Sequence, residues 1–408
     1  MSYYTAHKTI SQKYSPNSEL KELMKTFTKM VNHCLKIGIK ENVTNMKRLS
    51  SLCYHELDKY DILSSYKLNA ISRAAGILKN REQSIKRGIK TKNPVVNHGF
   101  LANCYGVKMN GYLLTIPFKP REPVNILLND HTYNMLKSDP CLQVKSFTMT
   151  DHNLGICISK EVEEIECTDV VGIDRNLRNV TCGNEKEVDF YKTNKLVIFK
   201  ENTILARSGF KRNDIRKKGQ FYKERQRRLT NRTKQYLHKI SKKIVEKAIK
   251  QKTAIAVEDL KGIRKMYRKG NGQGKKSRRK MNNNWPFFEL QRQIEYKAQW
   301  AGIPFTKINP KNTSQLCPQC GKRLQEDTRQ LSLQRKKSCI NCGLFMNRDI
   351  IAAMNISRKL SPRFRDSRGD ADEAQCRAFE RPMMESIKPV IRIVDVSKCN
   401  NDQVTSHN

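Results

Sequence analysis

Four cysteines constrain this chain more than any other feature. Their spacing, Cys317-x2-Cys320-x18-Cys339-x2-Cys342, falls within the pattern of two Cys-x2-Cys knuckles that face each other across a tetrahedral metal. Four thiolates complete the coordination of Zn²⁺ and leave no open position, so the zinc expected here is structural. Residues 315–345 should therefore form a small module with its own staple. The basic residues between the cysteines (Lys322, Arg323, Arg335, Lys336 and Lys337) fit a nucleic-acid contact and a solvated basic face equally well.

At 408 residues the chain has room for two or three domains. Its 79 Lys and Arg against 39 Asp and Glu leave a formal charge of +40, a self-repulsion that calls for a polyanionic partner, nucleic acid first among them. A basic membrane-surface protein is the competing class, but no run approaches the roughly 18 apolar residues of a spanning helix. The opening Met1-Ser-Tyr-Tyr-Thr-Ala-His-Lys lacks the apolar core of a signal peptide, so a reducing, intracellular setting is expected. There, paired Cys-x2-Cys spacing points to metal rather than disulfides. The other nine of the 13 cysteines (Cys34, Cys53, Cys104, Cys141, Cys157, Cys167, Cys182, Cys376 and Cys399) read as buried or incidental thiols.

After a short strand-like start, Ser15-Pro16-Asn17 opens a helix with Leu20, Leu23, Met24, Phe27, Met30, Val31, Cys34 and Leu35 at helical spacing. Further helical patterns cover about 46–59 and 62–86. From about 94 to 165 the runs become short and alternating, and Asn110-Gly111 marks a tight hairpin. A long helix is expected over about 215–250, with Leu229, Thr233, Tyr236, Ile240, Ile244 and Ala248 as its apolar stripe and Lys and Arg elsewhere. Residues 200–280 hold 29 Lys and Arg against six Asp and Glu, an excess of +23 that marks a phosphate-tracking surface. Arg225, Arg227, Arg228, Lys242 and Lys243 are its candidate contacts. The glycine-rich stretch 268–280 fails phosphate-loop spacing and reads as a mobile loop. Pro286 opens a helix through about Ala301, with Leu290, Ile294 and Ala298 inward. The tail, 361–408, carries eight basic and eight acidic residues and is expected to be flexible.

Three acids stand at telling places. "DVVGIDRNLRNVTC" (169–182) reads as a buried strand ending at Asp174, a turn and a second strand; "TAIAVEDLKGI" (253–263) as a second buried strand ending at Glu258; Asp349 opens the apolar helix "DIIAAMNI". Singly, each has an ordinary explanation as a turn residue, a strand-end charge or a helix N-terminal charge. Together they are hard oxygen ligands able to converge on two Mg²⁺ (or Mn²⁺) ions, a site that hydrolyses phosphodiesters without a side-chain nucleophile.

These motifs, with "RQRRLTNRTKQYLHKISKKIVEKAI" (225–249), "NNWPFFELQRQIEYKAQWAGIPFTKINPKNTSQLCPQCG" (283–321) and "NRDIIAAMNI" (347–356), resemble the transposon-encoded TnpB (OrfB) proteins, relatives of the type V CRISPR effector nucleases. The resemblance implies an α+β multidomain protein: an N-terminal β-barrel with an inserted helical recognition unit over 1–165, a RuvC-like core of RNase H fold over 166–314, the zinc module over 315–345, and the last core helix over 346–360. It implies Asp174, Glu258 and Asp349 as metal-holding catalytic acids and Cys317, Cys320, Cys339 and Cys342 as zinc ligands. The implied activity is DNA cleavage guided by an RNA from the transposon end, on a double-stranded target beside a short flanking motif, in the cytoplasm at the nucleoid, with no membrane partner. Three positions depart from the family pattern: Asn176 where Gly is frequent, Asn347 for the first Asp of a common Asp-Arg-Asp, and Ile351 for a common Asn. A nuclease-inactive RNA-guided binder and a strand-joining transposase remain as alternatives.

Overall fold

The computed structural model describes residues 3–210, 213–215, 219–260, 286–326, 335–360 and 389–396. Residues 4–161 make one compact unit and the chain from 162 onward a second. In the first unit, strand β1 (Tyr3–Lys13) leads to helix α1 (Ser18–Lys40), whose N-terminus is capped by Asn17 Oδ1 accepting from Leu20 N at 2.9 Å. The apolar positions at helical spacing, Leu20, Met24, Phe27, Val31 and Cys34, are all buried. Helix α2 (Met46–Cys53) gives way to a 3₁₀ turn at His55–Leu57, so the pattern over 46–59 is two elements rather than one; α3 (Ser64–Lys86) follows.

The alternating region supplies β2 (Phe100–Asn103), β3 (Lys108–Asn110), β4 (Leu113–Lys119), β5 (Glu122–Leu127), a short helix α4 (Asp130–Lys137), β6 (Gln143–Thr150) and β7 (Asn153–Glu163). Asn110 pairs with Leu113, which places the expected hairpin turn at Gly111-Tyr112. The strands form an open four-stranded sheet, β1-β7-β6-β2, and an open three-stranded one, β3-β4-β5. Among the described residues neither closes on itself, so the barrel expected for 1–165 is represented by two separate sheets. Short strands that alternate in burial satisfy either arrangement locally; closure depends on strand tilt and stagger that no local pattern records.

The second unit is built on a mixed six-stranded sheet. Strands β8 (Asp169–Arg175), β9 (Asn179–Gly183) and β10 (Glu187–Lys192) form an antiparallel meander. Helices α5 (Asn194–Ser208) and α6 (Gln220–Gln251) then lead to β11 (Thr253–Glu258), which lies parallel to β8. Helix α7 (Phe287–Trp300) and β12 (Phe305–Ile308), parallel to β11, complete this half. Beyond a small sheet of β13 (Gln325–Glu326), β14 (Lys336–Ser338) and β15 (Phe345–Asn347) comes α8 (Arg348–Leu360). One core cluster joins Ile173, Val180, Ile255 and Val257 of the sheet to Leu237, Ile240, Ile244 and Ala248 of α6 and Leu290, Ile294 and Ala298 of α7. The apolar stripe expected on the long helix is thus buried in its C-terminal half, whereas Leu229 and Thr233 are only partly covered.

Helix α8 packs on the other face, across β8, and glycine makes that possible. A Cβ on Gly172 would land on the carbonyl oxygen of Ala353 and crowd Ser357 N, while Ser357 Oγ donates to Val170 O at 2.7 Å. Gly172→Ala is expected to push α8 off the sheet and destabilise the protein by about 2–4 kcal/mol. A denaturant midpoint within error of wild type would refute this contact.

The sheet ends differently from the sequence expectation. Strand β16 (Val390–Val394), inside the segment expected to be a flexible tail, pairs parallel with β10 and gives the order β12-β11-β8-β9-β10-β16. Val396 is buried in the main core cluster and Arg392 pairs with Glu187 at 2.8 Å. Averaging charge over 48 residues (361–408) hid the run Val390-Ile-Arg-Ile-Val394, a β-branched strand signal in its own right. The glycine-rich stretch 268–280 lies outside the described residues.

Candidate active site

Asp174 is the penultimate residue of β8 and Glu258 the last residue of β11. The register pairs Ile173 with Val257, so the two acids follow level with each other at the same end of adjacent parallel strands. Alternation turns Asp174 to the face on which Gly172 receives α8. Asp349, in the first turn of α8, is 2 % exposed. The sequence puts these three acids on separate elements, and the fold brings them to one end of one sheet.

Burial, followed by repulsion from Glu258 and then Asp349, pushes the Asp174 carboxyl up to about 7. Burial also raises Glu258, against the opposing pull of its bond from Thr313 and of the nearby Arg175 charge. The trio is not drawn into one tight knot: among the described residues, the four cysteines are the set whose donor atoms all lie within 4.8 Å of one another.

Neighbouring side chains hold each acid. Asn176 Nδ2 donates to Asp174 Oδ2 at 2.6 Å, Asn179 Nδ2 to Asp349 Oδ2 at 2.9 Å, and Thr313 Oγ1 to Glu258 Oε1 at 2.5 Å. An Arg335 guanidinium nitrogen reaches Asp349 Oδ1 at 2.9 Å. Asn347 Oδ1 accepts from Asp349 N at 2.8 Å, as a helix cap does. Two of the departures from the family pattern thus have jobs here: Asn176 binds the first acid and Asn347 caps the helix of the third. The third departure, Ile351, is fully buried in a cluster with Cys317, Leu324, Cys339 and Leu344. It joins α8 to the cysteine module by packing.

The cysteine module has the form of a tetrahedral site. Cys317 and Cys342 Sγ stand 3.5 Å apart and Cys320 and Cys339 Sγ 3.3 Å apart. Gly321 and Gly343, each just after a Cys-x2-Cys pair, take φ of +74° and +70°, which lets each knuckle close. Their N–H groups donate to Cys317 O and Cys339 O at 2.9 Å. A donor set of four thiols at this separation fits Zn²⁺.

On α6, Arg227, Arg228 and Lys242 are exposed, whereas Arg225 and Lys243 are partly covered. Arg225 reaches Asn202 O on α5 at 3.4 Å, so part of its role is to tie the two helices. Thr313, Asn179, Arg335 and Arg175 were not singled out for the acid site by sequence reasoning. Each partner is at least 55 residues away except for Arg335, 14 residues before Asp349, and no local spacing announces such pairs.

The family described as "Cas12f1-like, TNB domain" matches residues 287–356, the stretch from α7 to α8 that holds all four cysteines and Asp349. A cryo-EM structure of a Cas12f1–sgRNA–target DNA complex superposes with a TM-score of 0.55 at 17% identity, over 83% of this chain and 81% of that one. The fold is therefore a mixed α/β fold of Cas12f1 type. A TnpB-like protein of Methanocaldococcus jannaschii, MJ0751, is 30% identical over 295 residues, covering 68% of this chain and 98% of that protein. The chain belongs to the TnpB-like family. A CRISPR-associated endodeoxyribonuclease, Cas12f1 of Sulfoacidibacillus thermotolerans, is 36% identical over 121 residues, 29% of this chain and 25% of that protein. No helix among the described residues is long and apolar enough to cross a membrane.

Proposed function

We propose that this protein is an RNA-guided DNA endonuclease whose RuvC-like site cuts phosphodiester bonds with divalent metal. The observation that carries this reading is the convergence of Asp174, Glu258 and Asp349 from three elements onto one sheet end, with the Asp174 carboxyl raised by burial and by the other two. An antiparallel meander followed by two parallel strands, in the order β10-β9-β8-β11-β12, supports an RNase H-type core. Similarity to a CRISPR-associated endodeoxyribonuclease and to a protein solved with guide RNA and target DNA supports the same activity and the same two partners. The guide is an RNA from the end of the transposon that encodes the protein, and the target is double-stranded DNA beside a short flanking motif. The place of action is the nucleoid.

In this reading Asp174, Glu258 and Asp349 would hold Mg²⁺ or Mn²⁺, which would supply an activated water and charge compensation at the leaving oxygen. Asn176, Asn179 and Thr313 orient the carboxylates, and Arg335 holds Asp349 in line while its positive charge faces the acid site. The zinc module and the turn leading into it brace two acids at once, Glu258 through Thr313 and Asp349 through Arg335. The basic face of α6 follows the nucleic-acid backbone. Neutralising Arg227 and Arg228 is expected to weaken binding across sequences and to reduce the slope of log affinity against log salt by about one for each phosphate that is no longer neutralised. An unchanged slope would remove α6 from the interface.

The deciding experiment purifies the protein with RNA co-expressed from its own element's 3′ end. A plasmid library then presents the guide-matched target beside randomised flanks, in Mg²⁺ and in EDTA. Cutting of a motif-defined subset, in Mg²⁺ alone, is the expected result. Guide-dependent binding without cutting would make the protein an RNA-guided binder, and joined strands without a guide would make it a transposase.

A further inference from the structure

Arg175 stands next to Asp174, but alternation along β8 points it to the opposite face of the sheet. There it is 4 % exposed, an expensive place for a guanidinium that is not well hydrogen-bonded. One terminal nitrogen donates to Phe287 O at 3.1 Å and to Gln291 Oε1 at 2.7 Å, both in the first turns of α7; the other donates to Glu258 O at 2.5 Å. The last pair of the β8–β11 ladder is Ile173 with Val257. The Glu258 carbonyl therefore lies just past the point at which β8 stops supplying ladder partners; Leu260 N reaches it at 3.1 Å from the turn that follows, and Arg175 adds the donor that ties it to β8.

We propose that Arg175 is the positioning residue for Glu258: it fixes the Glu258 peptide plane from behind the sheet and locks it to the start of α7, so that the carboxylate points towards Asp174. Thr313 holds the far end of the same side chain; Arg175 holds its root. Only a planar fork reaches three acceptors in two directions from one side chain, so lysine, which keeps the charge, recovers part of the function. This inference rests on the nuclease reading of the acid site and adds a residue to it.

The test uses the full chain loaded with its guide RNA. Single-turnover cutting is followed over a Mg²⁺ titration, and binding of Mn²⁺ alone is followed by paramagnetic resonance. Arg175→Gln should lower the cutting rate about 30- to 100-fold, the scale of a misplacement near 1 Å. It should also raise the Mg²⁺ half-saturation several-fold and weaken Mn²⁺ binding, with affinity for target DNA unchanged. Arg175→Lys should lower the rate about tenfold, and Gln291→Leu should lower it several-fold without adding to the effect of Arg175→Gln, because both break one linkage. A residue with a merely structural role would lower the active fraction and the melting temperature but leave the Mg²⁺ half-saturation in place. That result, or wild-type rates in Arg175→Gln, would overturn the proposal, and should Arg175→Gln fail to fold, the lysine and Gln291 variants decide it. A wild type that neither cuts nor binds Mn²⁺ would remove the nuclease reading and this inference with it; a working wild type matched by the variants would remove the inference alone.

Discussion

Asp174→Asn is expected to yield a protein that is more stable without metal and unable to cut. The folded protein holds the Asp174 proton up to about pH 7, whereas an ordinary Asp titrates at 3.8. Below the lower value both folded and unfolded chains are protonated and the group contributes nothing. As pH rises from there towards 7, the unfolded chain ionises while the folded one does not, and stability falls progressively; above 7 the fall is complete. Asparagine removes that cost. In EDTA at pH 8 its melting temperature should exceed that of wild type by about 5 °C, and the difference should vanish near pH 4. Added Mg²⁺ should raise wild type and not the variant. Cleavage should fall at least about a thousand-fold, roughly 4 kcal/mol of transition-state stabilisation. Melting curves that coincide at both pH values would show that burial and the neighbouring acids do not hold the Asp174 proton.

Removing zinc should have the second large effect. The module's core contains Ile351 of α8 beside Cys317 and Cys339, and Asn355 Nδ2, farther along the same helix, donates to Thr313 O at 2.8 Å and Leu316 O at 2.9 Å. Structural zinc sites in small peptides supply roughly 10–16 kcal/mol of apparent affinity to folding, so stripping the proposed zinc should release the knuckles and free both Thr313 and Arg335 from their acids. A zinc-selective chelator, or Cys317→Ser, is expected to lower cutting at least about a hundredfold in excess Mg²⁺, a misplacement effect on the two acids it braces. Elemental analysis should find one zinc per chain in the active protein. Full cutting by zinc-free protein would show that the module acts elsewhere than on the acids.

Much of this site is written in short-range spacing. Two Cys-x2-Cys pairs, two apolar runs that each stop at a carboxylate, and an acid opening an apolar helix are local patterns, because thiolate geometry and the burial of a strand act over a few residues. The period of α1 and of the second half of α6 was legible for the same reason: one face of each is buried. Strand β10, helix α5 and strand β16 carry only weak or short local signals. β16 is recruited by the free edge of β10, which does not exist until the sheet forms.

Local spacing is enough to establish the inventory: three acids on three elements, four thiols at zinc spacing, and a basic helix with one apolar face. Their arrangement came from packing between elements far apart in the chain. Gly172 admits α8 against β8, Thr313 reaches Glu258 across 55 residues, and Arg175 reaches Glu258 across 83 and Gln291 across 116. Each of these contacts depends on two surfaces meeting at van der Waals distance, and a linear pattern carries the chemistry of each surface but not their separation.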